Sequence, residues 1–299
     1  MKRTLLFLVT NIAVMLTLGI VANLLCAFLG TSVAEVVGPE WANLLIFAFV
    51  YGMLGAFVSL LLSKPMAKMA CGARTIDGSE GEAERWLVAT VEDLARRANV
   101  KTPEVAIYPG AANAFATGAF RNSALVAVST DIMGQMSKEE LRAVLGHEIS
   151  HVANGDMVTL CLIQGVLNAF VIIFSRIIAQ ALSSAGNGKG GRRRSNGGLY
   201  YVLVPVLDMA LGILASLIVF WFSRKREYAA DAGSANLLGT PNSMIAALRR
   251  LGNLQPGVLP NSLKAMGIAD GKKSTSIWAT HPSLEDRIAA LNRWGSGAV

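Results

Sequence analysis

The chain of 299 residues has only three cysteines and three histidines. Cys26, Cys71 and Cys161 are an odd set lying in or beside hydrophobic stretches. That excludes a disulfide framework and a cysteine metal cluster, and it fits burial as small apolar residues with the soluble part in a reducing compartment. Charge is scarce as well: 16% of residues are charged against 53% hydrophobic, beyond ordinary globular usage. No internal repeat is visible. The formal charge of +7 gathers at the borders of hydrophobic stretches, which reads as lipid-facing flanks and argues against a nucleic-acid partner.

The apolar excess lies in discrete blocks. Residues 4–29 and 41–62 contain no charged residue and are each long enough to cross ~30 Å of hydrocarbon. The first is longer than a signal-peptide core and is followed by no clear A-x-A site, so it reads as a span. A second pair, 157–182 and 199–222, is joined by a linker rich in Gly and Arg, with Lys189 and Arg192 to Arg194. Arg176 and Asp208 lie inside that pair and invite an ion pair within the membrane, while leaving open a hairpin that dips in without crossing. Lys2, Arg3, Lys64, Lys68, Arg74, Arg224, Lys225 and Arg226 flank one side against four basic residues on the other, which places the soluble part in the cytosol.

Two of the three histidines fall within five residues: His147-Glu148-Ile149-Ser150-His151. Positions four apart share one face of a helix, so both imidazoles can reach one metal ion, and Glu148 can act on water instead of ligating. A shuffled chain with three histidines and twelve glutamates gives this pattern on the order of once in a thousand. Ser137 and Glu140 form an S-x-x-E capping box, Leu141, Val144, Leu145, Ile149 and Val152 make an apolar face, and Asn154-Gly155 supplies a stop. An ordinary amphipathic helix with two polar histidines is the alternative. A third ligand decides between them. Glu227 and Asp231, four apart in an alanine-rich segment, are the candidates: Glu227 to complete a His2Glu set, and Asp231 to accept the free ring N–H of a ligating histidine. The competing reading is a solvated acidic pair.

Elsewhere the soluble part reads as mixed α+β. An amphipathic helix is expected over 81–98, strands at 105–108 and 124–129 with 110–117 between them, and a C-terminal helix ending near Trp294.

Four segments taken together, Asn113 to Gly118, His147 to His151, Glu227 to Asp231, and His281-Pro282-Ser283-Leu284-Glu285-Asp286-Arg287, resemble the HtpX family of heat-shock membrane zinc metalloproteases across nearly the whole chain. The resemblance implies one Zn2+ per chain on His147, His151 and Glu227, with Glu148 as catalytic base. It implies Asn113 and Phe115 as cleft residues on an edge that pairs with extended substrate, and His281 and Arg287 as cleft or transition-state residues. The expected fold is a mainly helical α+β metalloprotease domain of the HExxH/Glu type joined to transmembrane helices. Its divisions are 1–63 (two N-terminal spans), 64–156 (first part of the protease domain), 157–223 (inserted hydrophobic hairpin) and 224–299 (second part). The implied role is quality control of misfolded or partly extracted membrane proteins at the bacterial inner membrane, with membrane lipids as further partners. A CAAX-type prenyl-protein protease and an inactive membrane scaffold are the competing functions.

Overall fold

Apolar residues in unbroken runs give long helices here, and short alternating runs give a small sheet. The computed structural model describes residues 41–110, 112–185, 197–254 and 281–295, with isolated positions 20, 23, 24, 27, 32, 268 and 279. The expected first span, 4–29, apart from those isolated positions, and nearly all of the Gly/Arg-rich linker lie outside the described residues. The helices are α1 (Trp41–Cys71), α2 (Glu82–Arg97), α3 (Thr130–Gln135), α4 (Lys138–Asn154), α5 (Asp156–Ala185), α6 (Gly197–Leu238), α7 (Asn242–Asn253) and α8 (Leu284–Gly295). Strands β1 (Arg74–Ile76), β2 (Glu104–Tyr108), β3 (Ala114–Phe120) and β4 (Ser123–Ser129) form one sheet in the order β1-β2-β4-β3. Only β2 and β4 run parallel.

Contacts divide the chain into two units, Met1–Val58 with Cys161–Ile218, and Ser59–Leu160 with Val219–Val299. The first holds the apolar lengths of α1, α5 and α6, each long and apolar enough to cross a membrane. Phe47, Leu54, Val202, Val206 and Ile213 are exposed on them, as befits helices that are apolar all round. Small residues let α1 and α5 approach closely: a Cβ on Gly52 would fall 2.8 Å from the Ala169 nitrogen. The expected ion pair forms, with Arg176 Nη1 3.6 Å from Asp208 Oδ1, and the Ser175 hydroxyl donates to the same oxygen.

In the second unit the sheet is covered on both faces. On one, Leu87, Val91 and Leu94 of α2 meet Val144, Leu145 and Ile149 of α4 and Met244 and Leu248 of α7. On the other, Ala67, Tyr108, Phe115 and Leu125 pack together. Strand β3 was not expected as a full strand, because Ala114, Ala116 and Ala119 carry little β-propensity and Gly118 breaks the alternation; pairing with β4 and burial on both faces hold it extended.

Candidate metal centre

Helix α4 begins and ends where its residues dictate. The Ser137 hydroxyl accepts from the Glu140 amide and the Glu140 side chain accepts from the Ser137 amide. Gly155 closes the helix in the left-handed conformation at φ 72°. The segment around Glu227 is not a separate helix: α6 continues from the apolar run through the basic cluster to Leu238. Two interlocked Gly/Ser contacts bring α4 and α6 together. A Cβ on Gly146 would meet Ser234 Oγ at 2.8 Å, and one on Gly233 would meet Ser150 Oγ at 2.4 Å. Both hydroxyls are committed to α4 carbonyls, Ser234 to Ala143 and Ser150 to Gly146, each at 2.7 Å.

That approach sets His147 and His151 of α4 against Glu227 of α6, all three buried. The far nitrogen of each ring is taken. His147 Nδ1–H donates to Asp231 Oδ1 at 2.9 Å and His151 Nδ1–H to Asp156 Oδ2 at 2.6 Å. Both Nε2 atoms are thereby left as acceptors. They stand 3.1 Å apart, and 3.4 and 3.3 Å from the Glu227 oxygens. With both rings neutral, three acceptors converge in a buried space, and a cation bound there takes the place of a proton. Ligands 2.0 to 2.1 Å from a tetrahedral ion stand about 3.3 Å from one another, so the observed spacings fit one without rearrangement. Glu148 is buried, and both its carboxylate oxygens lack a hydrogen-bond partner among the described residues.

A ring of buried charge holds these groups. Arg287 is fully buried and grips Asp231 with two bonds, Nε to Oδ2 at 2.8 Å and Nη2 to Oδ1 at 2.6 Å. Its Nη1 lies 3.4 Å from Glu227 Oε2, and His281 Nδ1 lies 3.1 Å from the same oxygen. Burial disfavours the His151 imidazolium, but the Asp156 and Glu227 carboxylates outweigh it and raise its pKa to about 10. Burial likewise opposes the charge on His147, and Asp231 and Glu227 lift its pKa above the ordinary value. For Glu148 burial dominates and pushes the carboxyl up, against the pull of the two imidazoles.

Residues 82–295 match the model of peptidase family M48. The chain belongs to this family. Proteins named "Protease HtpX homolog" from Verminephrobacter eiseniae (54% identical over 294 residues), Albidiferax ferrireducens (52% over 294) and Bordetella pertussis (51% over 301) each align with 97% of this chain, across 98% of their own length. The fold is also that of Ste24p from S. mikatae, with TM-score 0.55 and 19% identity, covering 95% of this chain and 65% of that one. At that identity the likeness shows fold alone. This M48 chain is a membrane metalloprotease.

Not every residue singled out in the sequence reaches the centre. His147, His151, Glu227, Asp231, His281 and Arg287 come together, with Glu148 next in chain to His147. Phe115 does not: its ring is in the core on the far face of the sheet, 5.6 Å from Tyr108, because β3 turns alternate side chains to opposite faces. Asn113 is buried at the start of β3, with its side chain on backbone amides. Asp156 is the residue that spacing did not reveal. It read as the last residue before a hydrophobic segment, yet it sits at the first turn of α5, where the helix dipole favours a carboxylate, and reaches back to His151.

Proposed function

We propose that this chain is a zinc endopeptidase of the bacterial inner membrane that cleaves misfolded or partly extracted membrane proteins, with its catalytic unit in the cytosol. The observation that carries the reading is the convergence of His147, His151 and Glu227 at tetrahedral spacing beside an unpartnered, buried Glu148. Two imidazoles and one carboxylate are a zinc set that keeps a fourth position open for chemistry. A zinc ion held there supplies Lewis acidity, polarising the scissile carbonyl and making water nucleophilic at neutral pH. Glu148 accepts the proton of the attacking water and returns it to the leaving amine. Asp231 and Asp156 fix the ring tautomers, and Arg287 keeps Asp231 ionised and oriented. His281, whose Nε2 has no partner among the described residues, is set to donate to the substrate carbonyl as charge develops on it. Ser150 and Ser234 are spent on helix packing, so no covalent intermediate through them is expected.

The edge of β3 supports peptide as the substrate class, since an extended chain adds to a sheet edge through backbone bonds with little sequence demand. Unfolded segments offer such a backbone and folded domains do not. Three described helices suited to a bilayer support membrane proteins as the source of those segments. The test is purification in detergent, metal analysis, and casein cleavage with and without a chelator. One zinc per chain and cleavage abolished by chelation and restored by zinc are expected. Metal-free protein that still cleaves would refute the reading.

A further inference from the structure

The membrane helices carry a charged pair whose bonding capacity is only half used. Asp208 lies nine residues into the apolar run that starts at Leu199, about 13 Å along the helix, and Arg176 lies six residues before the run on α5 ends at Leu182, about 9 Å. Charge at such depths is costly unless it is paired. Asp208 Oδ1 makes both contacts of that carboxylate: it accepts from the Ser175 hydroxyl and faces Arg176 Nη1 at 3.6 Å. Oδ2 takes part in neither. On Arg176 the same Nη1 donates to the Ile172 carbonyl at 2.9 Å and to the Ser175 hydroxyl at 3.3 Å, without Nε or Nη2. The two side chains stay 24% and 37% exposed, Arg176 and Asp208 respectively. An acceptor and donors of opposite charge thus stand together at a surface that a bilayer would cover.

The surface beside Asp208 has room for another helix. Gly212 follows one turn later on the same face, and a Cβ there would meet nothing within 4 Å. Ser216, a further turn on, folds its hydroxyl back onto the Ile213 carbonyl at 2.6 Å. In lipid, small residues four apart let backbones approach closely, and polar side chains beside them bond across the interface. The occupant has to bring a complementary polar group. The expected first span of this chain, 4–29, contains no charged residue. A membrane helix in its native assembly turns its polar residues toward neighbours, whereas one that has lost its neighbours presents them to lipid. Such a helix can pair with Asp208 and Arg176, and a wholly apolar helix cannot.

We propose that the face formed by Arg176, Asp208 and Gly212 docks a transmembrane helix of the substrate through a polar or charged side chain at the depth of Asp208. The protease thereby selects helices whose polar residues have lost their partners. This rests on reading the His147, His151, Glu227 and Glu148 cluster as a peptidase centre that acts on membrane proteins.

The test uses the full-length, zinc-loaded chain in vesicles of phosphatidylethanolamine and phosphatidylglycerol, with single-span substrates that share one unfolded cytosolic tail. One substrate has a wholly apolar span, one has Lys at the depth of Asp208, and one has that Lys moved to the end of the span. Tail cleavage, divided by the casein rate of the same preparation, should be about 3- to 30-fold faster for the second than for the other two, the range that one polar contact between membrane helices gives. Asp208→Leu should abolish the preference by removing the acceptor, and Gly212→Leu by filling the space for the helix. Equal cleavage of the three substrates by wild type, or a preference that survives in both variants, would overturn the proposal. In Glu148→Gln, a photoreactive residue in place of Met209, which is exposed next to Asp208, should crosslink to the Lys-bearing span. Crosslinking instead to a second copy, or to residues 4–29 of the same chain, would assign this face to that occupant and overturn the proposal. If wild type shows no zinc-dependent cleavage of casein, the peptidase reading falls and takes this inference with it.

Discussion

Each metal-facing imidazole is oriented by a carboxylate, and the two carboxylates are held differently. Asp231 is locked by the bidentate Arg287, whereas Asp156 has the first turn of α5 and Arg226, 4.0 Å away. Asp231→Asn and Asp156→Asn should each weaken zinc binding or turnover by roughly 10- to 100-fold, the usual effect of losing a ligand's orienting partner. They should differ in stability. Asp231→Asn leaves Arg287 as a buried cation with a weakened partner, so its melting temperature should fall further than that of Asp156→Asn. Equal melting temperatures would show that Arg287 finds its balance elsewhere, for instance in Glu227. Glu227→Ala removes the proposed third ligand, and metal analysis should find less than stoichiometric zinc; wild-type content and affinity would place the third ligand elsewhere.

At the scale of elements, the centre depends on how closely α4 and α6 approach. Gly233→Ala drives a Cβ against Ser150 Oγ and should destabilise the unit by about 1 to 3 kcal/mol, as overpacking does. Thermal unfolding read against Gly212→Ala, where a Cβ meets nothing within 4 Å, isolates that contact. In the membrane helices, Arg176, Ser175 and Asp208 form one cluster. A double-mutant cycle on Arg176→Met and Asp208→Asn should therefore be non-additive in thermal stability. Additive losses would mean that each side chain reaches the interface alone. These elements were unevenly legible in the sequence. Helix α4 was readable to the residue because a capping box and a left-handed glycine are local devices. Helix α6 was not, because Arg224, Lys225 and Arg226 look like the end of an apolar helix; Lys225 instead folds back over Trp221, 4.4 Å from its ring, and the helix runs on. The partnership of Asp156 with His151 crosses a helix break, and that of Arg287 with Asp231 spans 56 residues. Neither leaves a trace in spacing.

On the scale of the whole molecule, α5 and α6 join two functions in single helices. Asp156 opens one as its side chain orients His151, and Glu227 stands on the other beyond its apolar length. The apolar insertion thus separates the metal-facing residues in sequence while the fold reunites them in one unit. Family membership and a membrane metalloprotease follow from the M48 match, the HtpX homologues and these helices. The central claim is that the cluster is a hydrolytic centre in which Glu148 moves the proton. It is tested most directly by comparing chelator-sensitive casein cleavage by wild type and Glu148→Gln at equal, measured zinc content in detergent. The amide keeps the shape and removes the base, so Glu148→Gln should bind one zinc per chain and cleave about 10²- to 10⁴-fold more slowly. Cleavage at the wild-type rate by the zinc-loaded variant would contradict the account.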